Sequence, residues 1–314
     1  MSFCSPTAIN KSFCYSYDSL LKVASAWNYL KPNDKIVIDY SSKSNNKDLL
    51  LYNKIKEKIC NYTKSNNDNY WAWVDIIRML NNNKNYKITT HMKDVEKKEL
   101  RPSQPIEWIN NKTEWLSNFD IDNVLTQYQN INKLNYKFHG VFTIDFYNKT
   151  SNGTCKYYQN CDIKIKNIIN SKKKYFGFVT NLCKFDEPGT HWTSSFFVLD
   201  PELDSYGSYY YDSVGRKIPT LLKPVFVDIQ KQMNIIYPHK KFTINVSNKK
   251  HQKSNTECGV FSIAFQTRWL SLLDKDPKNA SFKKVIEFHK INDNVMKLLR
   301  FRFFRPNSHS ILKT

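Results

Sequence analysis

The sequence lacks any apolar run that approaches the ~18 residues of a membrane span. Its opening residues, MSFCSPTAINKSF, do not contain the apolar core of a signal peptide. These absences predict a chain without a membrane span that stays in a reducing compartment. The 40% hydrophobic and 15% aromatic residues in a chain of 314 are enough to bury a full core, in one large or two smaller domains.

A regular cysteine pattern is also missing. The seven cysteines are an odd number at irregular intervals, which argues against a disulfide framework. The spacing between Cys155 and Cys161 matches no common zinc motif, so we predict no metal site. The cysteines are Cys4, Cys14, Cys60, Cys155, Cys161, Cys183 and Cys258.

Acidic residues are few, with 28 against 48 basic residues and a formal net charge of +20. Such an excess attracts polyanions, so nonspecific DNA is one expected partner. The basic residues are nevertheless spread along the whole chain, in clusters no longer than Lys172-Lys173-Lys174. This distribution favours a general compositional bias over a dedicated nucleic-acid groove.

Residues 1–100 are predicted to form a small, mainly helical N-terminal domain, of the kind that serves as an arm or adaptor. Apolar residues at helical spacing predict three helices, and one short apolar stretch predicts an extended segment. The helices are expected at 18–30, 47–60 and 70–80, and the extended segment at 35–40. Residues 79–105 are polar and end in two prolines, so we interpret them as a linker with the domain boundary near residue 100.

Residues 101–314 alternate between predicted helices and strands without a βαβ repeat. This pattern predicts an α+β fold and not a doubly wound sheet. The strands are expected at 138–147, 175–183 and 242–247 and in a hairpin from His191 to Asp212; the helices are expected from Asp120 or Asp122, at 220–235, from Cys258 and at 291–304.

The segment HQKSNTECGVFSIAF, residues 251–265, changes from polar to apolar at Cys258. A cysteine at the first turn of a buried helix lies beside unpaired backbone N–H groups and the positive end of the helix dipole, which favour a thiolate. Gly259 is expected to permit the close approach of a backbone. Cys258 is therefore the candidate nucleophile, and it requires a base and an oxyanion donor.

The predicted hairpin supplies a base and a residue to orient it. If Asp200–Ser205 is the turn, Asp212 lies opposite Thr193 and diagonal to His191, on the same face of the sheet. A slip of one residue would place His191 and Asp212 on opposite faces.

The polar loop before Cys258 supplies the oxyanion donor. Gln252 lies six residues before the cysteine, and its amide can donate alongside the Cys258 backbone N–H. The neighbouring His251 competes with His191 for the role of base.

Three motifs in fixed order carry a resemblance to a known family. HW at 191–192, YYYDS at 209–213 and Q-x5-C-G at 252–259 resemble the papain-like cysteine proteases specific for SUMO and other ubiquitin-like proteins, and the adenovirus-type proteases. HQKSNTECG and NFDID (118–122) are similar to the African swine fever virus-type polyprotein-processing proteases of large DNA viruses. The resemblance covers residues 106–314 and implies the papain-like fold of the SUMO-protease type, with a mixed central sheet flanked by helices.

The resemblance implies a role for each matched residue. Cys258 would be the nucleophile, His191 the general base and acid, Asp212 the residue that orients the imidazole, and Gln252 the oxyanion donor. Trp192 would roof a narrow channel for the substrate's terminal residues, and Asn255, three residues before the cysteine, would be a second candidate oxyanion donor that binds substrate. In the swine fever type an asparagine stands at the Asp212 position, so the role tolerates an amide. No metal or organic cofactor is implied.

The resemblance also implies a function, with alternatives left open. The preferred expectation is a viral cysteine endopeptidase that cleaves structural polyproteins after Gly-Gly or Gly-X sites, in the host cytoplasm and the viral core. One rival is a protease that removes SUMO or ubiquitin from host proteins, and another is an acetyltransferase on the same scaffold. A rival of a different class is a basic, nucleic-acid-associated core protein with a vestigial site.

Overall fold

The computed structural model describes residues 3–8, 13–39, 46–65, 67–287 and 291–308. Within these ranges the chain divides into two compact units. The N-terminal unit comprises the described residues up to Asn110 together with those from Phe301 onward, and the second unit runs from Asn111 to Arg300. The observed division therefore lies at Asn110, where the sequence predicts it near residue 100. The end of the described chain groups with the N-terminal unit, although the prediction assigned it to the second domain.

The N-terminal unit is built from helices around an aromatic core. The fully buried indoles of Trp27 and Trp73 lie in this core, and the Tyr15 ring stacks on Trp73 at a centroid distance of 5.3 Å. Residues 35–39 form no strand, so the extended segment is confirmed only as irregular chain; Tyr40 lies outside the described residues. The helices are α1 (Tyr17–Leu30), α2 (Lys47–Thr63), α3 (Trp73–Asn81) and α4 (Tyr86–Glu99), with short 3-10 turns at Pro6–Ala8, Tyr70–Ala72 and Ile106–Ile109.

The predicted linker is wrong, because most of it forms α4. Asn85 caps this helix by accepting from the backbone N–H groups of Lys87 and Ile88. Ile88, Met92 and Val95 are buried on one face. These apolar residues recur at helical spacing within a polar sequence, and the polar positions between them face water.

The expectation of no disulfides is also wrong. Cys4 is bonded to Cys14 in the N-terminal unit, and Cys155 to Cys161 in the second unit. Both pairs are close in sequence, so each closes a short loop and needs no chain-wide cysteine pattern. The three free cysteines are Cys60, Cys183 and Cys258.

The second unit contains a mixed five-stranded sheet within its described residues, in the order β1-β2-β3-β4-β5. The central strands β2, β3 and β4 are antiparallel, and each edge strand pairs in parallel with its neighbour. The strands are β1 (Tyr136–Thr143), β2 (Tyr175–Asn181), β3 (Trp192–Val198), β4 (Gly207–Tyr211) and β5 (Thr243–Val246). The mixed central sheet is confirmed.

Helices cover both faces of this sheet. Phe196 on β3 stacks on Trp269 of α8 on one face, while the next residue, Phe197, packs against Phe226 of α7 on the other. Alternating side chains of one strand thus serve two apolar layers. The remaining helices are α5 (Asn118–Gln129), α6 (Ile165–Asn170), α7 (Lys223–Ile236), α8 (Cys258–Lys275), α9 (Phe282–Ile286) and α10 (Asp293–Phe303). Among the described residues, no helix is long and apolar enough to cross a membrane.

Candidate active site

The helix α8 begins at Cys258 and is buried along nearly its whole length. Its side chain Gln266 anchors it to the sheet: the amide nitrogen donates to Ser194 Oγ and to the Ser195 carbonyl, each at 2.8 Å. Tyr136 donates its hydroxyl proton to Gln266 Oε1 at 3.0 Å. These contacts fix the helix against β3, so the position of the Cys258 thiol is determined by the sheet. Cys258 is only 2% exposed.

Gly259 allows side chains to pack tightly beside the thiol. A Cβ atom at this position would lie 3.0 Å from Leu116 Cβ and 3.3 Å from Trp192 Cδ1. The Trp192 indole N–H donates to the Leu116 carbonyl at 2.9 Å. The sequence predicts that a backbone approaches Gly259, but the groups that approach it most closely are the side chains of Leu116 and Trp192.

The hairpin has the register that the sequence predicts. Ser194 pairs with Tyr211, so Asp212 follows the end of β4 and His191 precedes β3. The His191 Nε2 atom lies 2.7 Å from Asp212 Oδ1. Asp212 is fully buried, and its Oδ1 also accepts the Val214 backbone N–H at 2.9 Å. The aspartate is held by its own loop and holds the imidazole in turn.

The imidazole of His191 joins Asp212 to Cys258. With Nε2 on the carboxylate, Nδ1 is the ring nitrogen left for the thiol. Burial lowers the pKa of His191, but hydrogen bonds and charge interactions with Asp212 and Cys258 outweigh it and raise the pKa to about 9. The buried carboxylate of Asp212 therefore favours the protonated form of the imidazole.

A side-chain amide at the end of β2 holds the loop before His191. The Asn181 Oδ1 atom accepts the backbone N–H groups of Thr190 at 2.9 Å and Cys183 at 3.2 Å. It also accepts the N–H of His191 at 3.4 Å. Asn181 was not predicted, because the expected hairpin joins β3 to β4, whereas Asn181 lies opposite Trp192 in the β2–β3 pair.

His251, the alternative base, has other partners. Its Nδ1 atom lies 2.8 Å from the Tyr211 hydroxyl, and its ring stacks on that tyrosine. Burial lowers the pKa of His251. These contacts give it a role in supporting the loop, and the structure places His191, not His251, against Asp212.

Gln252 is buried in the loop before Cys258. Its Oε1 atom accepts the Ser213 hydroxyl at 2.6 Å, and its amide nitrogen donates to the Ser254 carbonyl at 2.8 Å. An amide carries two N–H donors, so one of them is left for an oxyanion. Asn255 is exposed in the same loop.

A cavity of about 330 Å³ lies beside Trp192 in the second unit. It is mainly apolar, with the amides Asn118 and Asn181 and the free thiol Cys183 at its wall. The other lining residues are Trp115, Leu116, Ser117, Val141, Phe142, Thr143, Tyr158, Gly189 and Trp192. Trp192 and Leu116, which pack beside Gly259, form part of its wall.

The described part of the chain contains no cluster of three or more His, Cys, Asp or Glu side chains that could hold a metal ion. The polar groups at Cys258 are those of nucleophilic acyl transfer: a thiol, an imidazole with an oriented carboxylate, and backbone and amide donors.

Comparison with known proteins gives relatives of one kind. No family model matches the chain. A protein of Acanthamoeba polyphaga mimivirus named as a thiol protease is 24% identical over 301 residues, covering 93% of this chain and 91% of the relative. A SUMO-1 cysteine protease of African swine fever virus is 26% identical over 209 residues, covering 62% of this chain and 69% of the relative.

A solved structure has the same fold. The crystal structure of an African swine fever virus protease aligns with a TM-score of 0.59 and 19% sequence identity, covering 98% of this chain and 96% of that chain. The fold predicted from the motifs is confirmed. The chain is therefore a homologue of viral thiol and cysteine proteases, and the groups at Cys258 are those of a cysteine peptidase.

Proposed function

We propose that the chain is a viral cysteine endopeptidase that cleaves structural polyproteins after Gly-Gly or Gly-X sites. The observation that carries this proposal is the contact of one imidazole, His191, with both Asp212 and Cys258 at the start of a buried helix. We further propose that the enzyme acts in the host cytoplasm and the viral core.

The geometry supports a two-step acyl transfer. The Cys258 thiolate attacks the substrate carbonyl carbon, and the new oxyanion accepts hydrogen bonds from the Cys258 backbone N–H and the Gln252 amide. The His191 imidazolium then donates its proton to the leaving amine, which leaves a thioester on Cys258. Neutral His191 next takes a proton from water, the hydroxide attacks the thioester, and the peptide acid and the thiolate are released.

We propose that the substrate carries glycine at the cleavage site because the surroundings of Cys258 are crowded. Leu116 Cβ and Trp192 Cδ1 lie 3.0 and 3.3 Å from the place that a Cβ atom on Gly259 would take. The cavity beside Trp192 can accept larger side chains further along the substrate.

A second candidate function is removal of a ubiquitin-like protein from a conjugate. The observation that favours it is a relative that is named a SUMO-1 cysteine protease. The chemistry at Cys258 is the same, and only the substrate differs.

One experiment tests both candidates. Peptides that span Gly-Gly-X and Gly-X junctions are compared with SUMO and ubiquitin C-terminal fluorogenic conjugates, with and without DNA. The proposal predicts cleavage of the peptides by the wild type and none by Cys258→Ala. Cleavage of the conjugates alone would assign the chain to the deconjugating proteases. Absence of cleavage of every substrate would reject both candidate functions.

A further inference from the structure

We propose that α10 braces the loop that carries Gln252 and Cys258, and that Asp293 and Arg300 are positioning residues for acyl transfer. This inference rests on the proposed function, since it concerns the same site. Asp293 is the first residue of α10, and Arg300 lies two helical turns later, on the same side of the helix.

Asp293 holds the part of the loop that follows Gln252. Its Oδ2 atom accepts the backbone N–H groups of Lys253 and Ser254, each at 3.0 Å. Its Oδ1 atom accepts the Ser254 hydroxyl at 2.9 Å. Ser254 in turn provides the carbonyl that receives the Gln252 amide at 2.8 Å. Asp293 thus fixes the group that orients the proposed oxyanion donor.

Arg300 holds the residues immediately before the nucleophile. Its guanidinium is 1% exposed and donates from Nε to Glu257 Oε2 at 2.7 Å. It also donates to the Thr256 carbonyl at 3.0 Å. Glu257 is fully buried and is the residue from which α8 starts. The guanidinium therefore determines how the chain enters the helix at Cys258.

The same guanidinium reaches the wall beside Trp192. Arg300 donates to the Glu114 carbonyl at 2.7 Å, and two residues later the Leu116 carbonyl accepts the Trp192 indole N–H. One side chain therefore connects the loop before Cys258 to the segment that supports Trp192. Its planar fork can bind three groups at fixed angles, which an ammonium cannot do.

A positioning role explains why a charged pair is buried here. Removing two charges from water is costly, and well-packed apolar side chains often stabilise a fold as well as a buried ion pair does. The Arg300–Glu257 pair, however, also fixes three backbone segments relative to one another, which apolar side chains would not. We therefore infer that the role of the Arg300–Glu257 pair is to fix the geometry of the site.

The first experiment removes the carboxylate of Asp293 and separates acyl transfer from thiol reactivity. Asp293→Asn is compared with Asp274→Asn, which removes an exposed carboxylate at the far end of α8. Two rates are measured: turnover of a Gly-Gly-X peptide and alkylation of Cys258 by iodoacetamide. Alkylation is a displacement at carbon that forms no oxyanion, so it does not require Gln252.

We expect Asp293→Asn to lower kcat about tenfold, because misplaced donors lose much of their effect, and to leave KM and the alkylation rate within about twofold. Asp274→Asn should change neither rate. In a double-mutant cycle with Gln252→Ala, Asp293→Asn should cause little further loss of kcat, since both substitutions act through the Gln252 amide donor. Full additivity, or an equal loss of alkylation rate, would overturn the role of Asp293.

The second experiment tests Arg300. Arg300→Lys keeps the charge but not the fork, and Lys297→Gln changes an exposed residue of the same helix as a control. We expect Arg300→Lys to lower both turnover and Cys258 alkylation at least about tenfold, at temperatures where its melting transition shows a folded protein. A folded Arg300→Lys variant with wild-type rates of turnover and alkylation would refute the positioning role of Arg300. If the wild type cleaves no peptide, the proposed function fails, while the alkylation rates still decide the role of Arg300.

Discussion

The first prediction concerns the carboxylate of Asp212, which is expected to set the upper pH limit of activity. Asp212→Asn keeps an oxygen at the position of Oδ1, where it can still accept from His191 and Val214. It removes the negative charge. The change therefore separates the orientation of the imidazole from its electrostatic stabilisation.

The magnitude follows from the raised pKa of His191. A rise from 6.5 to about 9 corresponds to about 3 kcal/mol in favour of the imidazolium, shared between Asp212 and Cys258 and net of the opposing effect of burial. At a pH below 6.5, the ordinary pKa of histidine, His191 is protonated in both the folded and the unfolded protein, so its contact with Asp212 stabilises the fold fully. This stabilisation is lost as the pH rises through about 9, the pKa in the folded protein. Without the charge of Asp212, we expect the descending limb of kcat/KM to move down by about one to two pH units.

The assay is a pH profile of kcat/KM for a cleaved peptide, with Asp204→Asn in the exposed turn of the same hairpin as the control. We expect Asp212→Asn to lower kcat/KM at least about tenfold at pH 8.5, and by a smaller factor at pH 6.5. Asp212 Oδ2 has no hydrogen-bond partner within the described part of the chain, so the new amide also leaves a buried donor unpaired, at a cost of about 1–3 kcal/mol in stability. A descending limb that stays near pH 9 in the variant would refute the role given to the carboxylate.

Two further predictions concern packing and a buried carboxylate. Gly259→Ala would place a Cβ atom 3.0 Å from Leu116 Cβ, so we expect a loss of about 1–3 kcal/mol by chemical denaturation; unchanged stability and activity would contradict this. Glu99 is buried and accepts from Ser16 and from the Ser19 hydroxyl at 2.7 Å, so Glu99→Ala should cost about 2–3 kcal/mol, with Glu99→Gln intermediate. Equal stability of all three proteins would show that this contact is unimportant.

Much of the fold could be predicted because its segments carry strong periodic patterns. The apolar stripe of α1, the two strands of the hairpin and the buried α8 are visible in the sequence, and the structure confirms them. The helix α4 was missed because its stripe is narrow and lies within a strongly polar stretch. The disulfides were missed because local pairs leave no pattern in the whole set of cysteines.

The active site could be predicted in part, for a physical reason. The hairpin register fixes which residues face one another, so the meeting of His191 and Asp212 follows from the position of the turn. The contribution of Arg300 could not be predicted, since its partner Glu257 lies 43 positions away in sequence and only tertiary packing brings them together. Asn181 lies between these two cases: the pairing of β2 with β3 places it opposite Trp192, but this pairing does not determine its hydrogen bonds.

The most direct test of the account is the identity of the nucleophile in a turnover experiment. The wild type and Cys258→Ala are incubated with a Gly-Gly-X peptide, and the covalent intermediate is trapped by rapid acid quench and located by mass spectrometry. We expect the wild type to form an acyl group on Cys258 and to cleave the peptide after the second glycine, and Cys258→Ala to do neither. An acyl group on another residue, or cleavage that persists in Cys258→Ala, would contradict it.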